Sequence, residues 1–580
     1  MRAVFRRAAN VRSRVIETSQ AKVELTPRPA EKAQPGGDSV QGTPRGRRRR
    51  LAVAAAVLVL TGLNFFMAYW RGTHFFNFSD AGYLLENLHR IRDGEFPYRD
   101  FFLSLPPLHH FGCAAVWWLF GDQAYYLVVY AAIEQALVFV LCYLACRQIA
   151  DRPWVAILAA SLVSVGGTAV MGFPVYDTDG GFLFIIIVNL LLWWERRGYH
   201  WALGFVIGLL TGLVVLVKLN MGIALLAGVL AGLFATAILR HWHDKLDPRQ
   251  SLGRRFRKLL RMPFPLGMVG SVVAGTVCCL GAFVGWLAWH GALEGFIEQN
   301  IVFPYRVRLH AGETLIETYG LWRSFRVYDG WVHYDCWRVL VVAGTAVCLA
   351  GCWRHPGQRP LRLLILIPTI AFALGTFQSQ GYGSTYGIYE VAAILLFELY
   401  VWLEPYGSRV AAGAVLAIAA AFLITGTVDL LQGTRLRFLR RPLDDPAPFH
   451  LAKLRGLSGT REYRDSFEQL AATVQEVIPP EERFFYYPGD LPLYYVTGRG
   501  FPMRNFLVQR TAGWTPEEAE AAILVAGVPW LILRTEPDHS SFVPQAANDP
   551  GLVPWALESY DVVKELDHFL ILKHKKDKRG

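Results

Sequence analysis

Long apolar runs recur along most of this chain, at 51–70, 105–120, 124–146, 153–172, 181–194, 201–217, 219–239, 265–290, 336–353, 361–377, 386–403 and 409–431. Runs of this kind read as helices that cross or line a bilayer. At 580 residues and 53% hydrophobic, the chain is too apolar for an ordinary soluble protein. It is long enough for a large membrane domain and a smaller aqueous one.

Charge decides how the runs are threaded. The stretch 105–120 is short, roughly 24 Å as a helix, starts Leu105-Pro106-Pro107 and contains His109 and His110. If it stays at the outer surface, every basic loop falls on the side of the Arg-rich N-terminus. These loops hold Arg147/Arg152, Arg196/Arg197, the run from Arg240 to Arg261, Arg354/Arg359/Arg362 and Arg409. The positive-inside rule therefore predicts about eleven spans, with the N-terminus cytoplasmic and the C-terminus outside.

The domains follow from this threading. Residues 1–50 form a basic, disordered cytoplasmic tail. Residues 51–432 form the membrane domain, whose first outer loop is 71–123. Residues 433–580 form a small α/β domain on the outer side. The leader before residue 51 is too long for a cleaved secretory signal, so 51–70 reads as an uncleaved first span. The net charge of +11 sits mostly in the tail and in Arg240–Arg261. That is the pattern of anchors against anionic lipid and excludes nucleic acid as a partner.

None of the eight cysteines falls in the C-terminal region, so no disulfide framework is implied. Cys142 and Cys146 share a helix face as small core residues. There is no internal repeat and no Gly-rich phosphate loop.

In the first outer loop, Leu84, Leu85, Leu88 and Ile91 make one helical stripe. Glu86, Asn87, Arg90 and Arg92 make the other, which suits a short helix lying flat on lipid. Further on, Thr515-Pro516-Glu517-Glu518 is a helix-opening capping box. Strands are predicted at Phe484–Tyr487, Val528–Leu533 and Asp567–Leu572.

The outer side gathers the residues that suit chemistry. Asp80, just past the first span, could take a proton from a hydroxyl, or could cap a helix. Asp177 and Asp179 form a D-x-D pair that could hold a divalent cation such as Mg or Mn. They could equally make a solvated turn before Gly180-Gly181. Lys218, beside Asn220, could pair with a lipid phosphate or simply snorkel. Arg306 and Arg308, near His310, could grip phosphate in the long outer loop. Tyr382, Tyr386, Tyr389 and Glu390 could line a sugar pocket or form an aromatic belt. Glu134, in mid-span, must be protonated or paired, with Gln135 or a neighbouring helix as partner.

One ordered set of residues is familiar. It comprises Asp80-Ala81-Gly82-Tyr83, Gly94-Glu95-Phe96-Pro97-Tyr98-Arg99-Asp100-Phe101-Phe102, Pro106-Pro107-Leu108 and Leu119-Phe120-Gly121-Asp122. It resembles the GT-C superfamily of integral-membrane glycosyltransferases, near the bacterial protein O-mannosyltransferase and lipid A aminoarabinose transferase groups. The specific match covers roughly 75–125.

The resemblance implies a GT-C-like membrane fold, a donor sugar on a polyprenyl phosphate and inversion at the anomeric carbon. It makes Asp80 the catalytic base and matches Asp177 and Asp179 to a second acidic motif. Tyr83, Tyr98, Asp100 and His109 then join Tyr382 and Tyr386 as candidates for the acceptor and sugar pocket. Two departures stand out. Ala81 replaces a Glu found after the acid in many relatives, and Ser104-Leu105 replaces the Glu-Lys that precedes proline in the aminoarabinose group.

The expected protein is a polyprenyl-phosphate-sugar-dependent glycosyltransferase of the bacterial inner membrane, acting on the periplasmic face on a glycan, lipid or protein acceptor. A lipid-linked glycan polymerase or ligase would rely on outer-loop arginines instead. A transporter or flippase would need more buried ionisable residues in broken, repeated helices. Asn77-Phe78-Ser79 is a glycosylation sequon, and a glycan there would obstruct Asp80, which disfavours the endoplasmic reticulum.

Overall fold

The computed structural model describes residues 44–74, 78–166, 172–245, 266–304, 344–346, 349, 359–378, 388–404, 407–432, 445–487, 492–502, 521, 523–535 and 552–575. Met1–Ala52 and Val53–Gly580 are separate units, and of the first only the opening of α1 is described.

The helical part runs α1 (Pro44–His74), α2 (Phe78–Arg92), α3 (Leu108–Phe120), α4 (Ala124–Ile149), α5 (Pro153–Ala160), α6 (Tyr176–Arg197), α7 (Trp201–Val217), α8 (Leu219–Lys245) and α9 (Leu266–Trp289). It continues with α10 (Leu293–Ile297), which passes into a wider turn at Glu298–Val302, then α11 (Arg359–Gln378), α12 (Tyr389–Leu403) and α13 (Ser408–Gln432).

Among the described residues, five helices are long and apolar enough to cross a membrane: 46–74, 124–149, 176–197, 219–239 and 267–289. Shorter apolar helices lie at 153–165, 201–217, 360–376 and 409–424. This is the make-up of a polytopic membrane protein. α3 has 13 residues, about 20 Å of helix, well short of a hydrocarbon core of about 30 Å.

Small residues set the helix spacing. A side chain at Gly208 of α7 would reach within 2.0 Å of the Val272 carbonyl oxygen of α9. Thr276 seals the contact with a 3.0 Å bond to the Gly208 carbonyl. Close backbone approach of this kind is how helices gain packing where lipid is as apolar as leucine.

The C-terminal part holds a two-stranded antiparallel ribbon, β1 (Pro446–Pro448) with β2 (Ser458–Thr460), and then α14 (Arg461–Val477). A four-stranded mixed sheet follows, of order β3-β4-β6-β5, from β3 (Phe484–Tyr487), β4 (Trp530–Arg534), β5 (Tyr560–Leu566) and β6 (Phe569–His574). β3 and β4 are parallel and the other pairs antiparallel. Helices α15 (Pro492–Thr497) and α16 (Leu552–Ser559) complete it. The capping box at Thr515–Glu518 lies outside the described residues.

Among the described residues, this region shares its core with the first outer loop. One apolar cluster joins Leu84, Leu85 and Leu88 of α2 and Trp117 of α3 to Tyr494, Leu531 and Ile571.

That shared core corrects the expectation for α2. Its apolar stripe is buried, but so are Glu86, Asn87, His89 and Arg90. The second face meets protein, because α15 lies on it. A side chain at Gly82 would come within 2.4 Å of Pro492 Cδ. The Phe501 N–H donates to Glu86 Oε1 at 3.0 Å, and Trp117 stacks on Tyr495 at 5.2 Å.

Burial raises the Glu86 carboxyl to about 8, partly offset by the Phe501 N–H and Arg90, while Glu95 and Asp93 reinforce it. Between its ordinary value near 4.5 and about 8, the folded protein keeps a proton that the unfolded chain has lost. Stability therefore falls as pH rises through that window and is flat on either side. The full span corresponds to on the order of 5 kcal/mol. Glu86→Gln, which keeps the acceptor for Phe501, is expected to remove the slope; unfolding measured from pH 5 to 8 checks it.

Candidate active site

The site lies where the first turns of α3 and α6 meet the break between α7 and α8. α6 opens after an extended Val175, and Asp177 and Asp179 fall in its first turn, where the helix dipole favours negative charge. Lys218 is the extended residue between α7 and α8. Its Nζ donates to Asp177 Oδ1 at 2.6 Å and stands 4.5 Å from the centre of the Tyr176 ring. Asp177 is 1% exposed and Lys218 7%. A charge pair this deep is retained only when each charge answers the other.

The second carboxylate has its own partner. His109 Nδ1, on α3, lies 2.9 Å from Asp179 Oδ2. The His109 ring meets the Tyr176 ring edge-on at 6.2 Å. The D-x-D motif thus holds a lysine and a histidine, both packed against the Tyr176 ring.

α2 closes the site through the neighbouring histidine. Asn87 Nδ2 lies 3.3 Å from His110 Nε2. The Tyr83 ring packs edge-on against His110 at 6.0 Å. Burial, with His109 alongside, drives the His110 titration well below the usual imidazole range, so the ring is neutral.

Further carboxylates stand behind. Glu134 of α4 lies next to Asp179. Glu390 of α12 packs its carboxylate on Gly181, where a side chain would come within 2.9 Å of Oε1. Both are buried. Asp179 Oδ1, both oxygens of Glu134 and Glu390 Oε2 have no hydrogen-bond partner among the described residues.

The sequence candidates divide accordingly. His109, Asp177, Asp179, Lys218 and Tyr83 come together. Tyr98 does not join them: its hydroxyl donates to the Leu105 carbonyl at 2.6 Å, and its own carbonyl accepts from Gln299 at 3.0 Å. Asp100 accepts from the Phe96 N–H at 2.7 Å and is held below the usual carboxylate range chiefly by Arg99. Both residues shape the 94–105 loop.

Asp80 is the third residue of α2, inside the helix and not at its cap; its side chain lies outside the described residues, as do Arg306, Arg308, Tyr382 and Tyr386. Tyr389 and Glu390 are core residues here, not a lipid-facing belt. Among the described residues, no three His, Cys, Asp or Glu side chains are grouped to hold a metal ion.

Sequence reasoning missed four pairings: Lys218 with Asp177, His109 with Asp179, Asn87 with His110 and Glu390 with Gly181. The adjacent glycines 180 and 181 were the available signal. They make room for Met221 and Glu390, a close approach and not a turn.

The sequence matches no protein-family model and no curated protein. The structure is similar to that of ArnT from Cupriavidus metallidurans bound to undecaprenyl phosphate, over 91% of this chain and 98% of that one, at 14% identity and a TM-score of 0.46. Its apo form gives the same coverage and identity, with a TM-score of 0.47. The oligosaccharyltransferase of Archaeoglobus fulgidus in complex with Zn and sulfate is similar over 83% of this chain and 68% of that one, at 15% identity and a TM-score of 0.48.

Proposed function

We propose that this protein is a glycosyltransferase that moves a sugar from a polyprenyl-phosphate donor to a hydroxyl acceptor on the periplasmic face of the bacterial inner membrane. The observation that carries it is the buried Lys218–Asp177 pair beside His109–Asp179, set against the helix that begins with the Asp80 motif. An ammonium held among apolar helices suits a phosphate whose hydrocarbon tail must stay in lipid.

Asp80 precedes Tyr83 by three residues and Asn87 by seven in α2. In the reaction, Asp80 takes the hydroxyl proton of the acceptor. The acceptor oxygen bonds to the anomeric carbon, the bond from that carbon to the phosphate oxygen breaks, and its electron pair leaves on polyprenyl phosphate. Lys218 meets that charge, with Arg306 and Arg308 as further partners. Tyr83, Tyr382 and Tyr386 face the sugar or acceptor, which is a glycan, lipid or protein. Holding both reactants side by side supplies proximity.

The test is purified full-length protein with a radiolabelled polyprenyl-phosphate sugar and membrane extract as acceptor. Labelled product and free polyprenyl phosphate should appear together. Folded protein that releases neither would overturn the proposal.

A second reading, a transporter or flippase without transferase activity, is favoured by one observation: Glu134, Glu390 and Glu398 are buried within α4 and α12. Movement of the labelled donor across a vesicle without release of polyprenyl phosphate would support it.

A further inference from the structure

Gly82 and Glu86, four residues apart on α2, both meet one stretch of the C-terminal region. A side chain at Gly82 would run into Pro492 Cδ at 2.4 Å. Glu86 is 0% exposed, and its Oε1 accepts from the Phe501 N–H at 3.0 Å. That stretch is itself anchored to the mixed sheet. The Phe501 ring packs edge-on to Tyr494 at 5.1 Å, and the Tyr494 hydroxyl accepts from the Tyr486 N–H of β3 at 2.8 Å. The same helix reaches the candidate active site, where Tyr83 and Asn87 meet His110.

We propose that Glu86 is a positioning residue: docked on the Phe501 N–H, it makes the C-terminal region hold the helix that carries Asp80 in place for transfer. This rests on the transferase reading above and deepens it with a means of control. It also gives the glycine of the Asp80-Ala81-Gly82-Tyr83 motif a role, since only a residue without a Cβ lets α15 come this close.

The hold is strongest while the carboxyl is neutral. Glu86 Oε2 has no hydrogen-bond partner among the described residues. Arg90 on the same helix and Lys453 from the C-terminal region favour its charge, while Asp93 and Glu95 oppose it. Tyr494 faces it from α15 as a neutral phenol. Burial outweighs the cations and raises the docked carboxyl to about 8, against an ordinary value of 4.5. Docking therefore weakens as pH rises between those two values and is flat above the upper one. The docking constant falls about a hundredfold between pH 6 and 9.

The experiment follows amide exchange and sugar transfer by the full chain in lipid nanodiscs. Protection of the wild-type Phe501 amide, corrected for the intrinsic exchange rate, should fall by up to about a hundredfold over that range. In Glu86→Gln, which keeps the acceptor but cannot ionise, it should change by less than about twofold. At pH 6, Glu86→Ala should lower kcat at least about tenfold with little change in the donor KM, and Glu86→Gln should restore kcat. A residue that only stabilised the fold would change the amount of folded enzyme and not kcat per folded molecule.

Wild-type Phe501 protection that does not vary with pH would overturn the inference, as would folded Glu86→Ala with the wild-type kcat. The first arm uses folded wild type and stands even if the variants fail to fold. Wild type that shows the pH-dependent protection but transfers no sugar at any pH would instead sink the transferase reading and leave the docking of α2 standing.

Discussion

Asp80→Asn is expected to leave the protein at its normal level in the membrane and to lower sugar transfer about 10²–10⁴-fold, the range lost with a positioned general base. The change is nearly isosteric, and a helix first turn accepts Asn as readily as Asp apart from a few tenths of a kcal/mol of dipole interaction. Binding of polyprenyl phosphate should persist, because Lys218 is untouched. The base would then be separated from the phosphate site by a kcat effect with little change in KM. Wild-type rates in this variant would show that the proton goes elsewhere, and the ligase alternative with its outer-loop arginines would take precedence.

Lys218→Met carries the second large effect, on both folding and function. It removes the partner of a carboxylate that is 1% exposed, and breaking one side of a buried pair costs about 3–5 kcal/mol. The variant should unfold earlier and bind polyprenyl phosphate poorly. Lys218→Met combined with Asp177→Leu removes both charges and should recover stability, since an apolar replacement of a whole buried pair is often neutral. It should not recover transfer. A double variant that is both stable and active would show that the pair is scaffolding only.

Much of this arrangement was legible in the sequence where it depends on local pattern. The helices at 124–149 and 219–239 follow from unbroken apolar runs. β3, β4 and β6 fall on the aromatic and aliphatic stretches that suggested strands. The candidate residues His109, Asp177, Asp179 and Lys218 were found by type and position, but their partnerships were not. Lys218 and Asp177 are 41 residues apart and His109 and Asp179 are 70 apart. Only the packing of α3, α6 and the α7–α8 break brings them together.

α2 shows the other limit. A stripe of Glu, Asn and Arg looks the same in sequence whether it faces water or the polar backbone of another segment. Here Phe501 supplies that backbone, 415 positions beyond Glu86. Tyr98 and Asp100 illustrate a third: they lie in the recognisable motif, yet their hydrogen bonds build the loop.

The proposed reaction is a single displacement at the anomeric carbon, assisted by one base and discharged onto one held phosphate. The most direct measurement is the anomeric configuration of the product formed by purified protein from a polyprenyl-phosphate sugar of known configuration, read by NMR. A single displacement predicts inversion relative to the donor. Retention would require a covalent or second displacement step for which Asp80 and Lys218 make no provision, and would contradict the account.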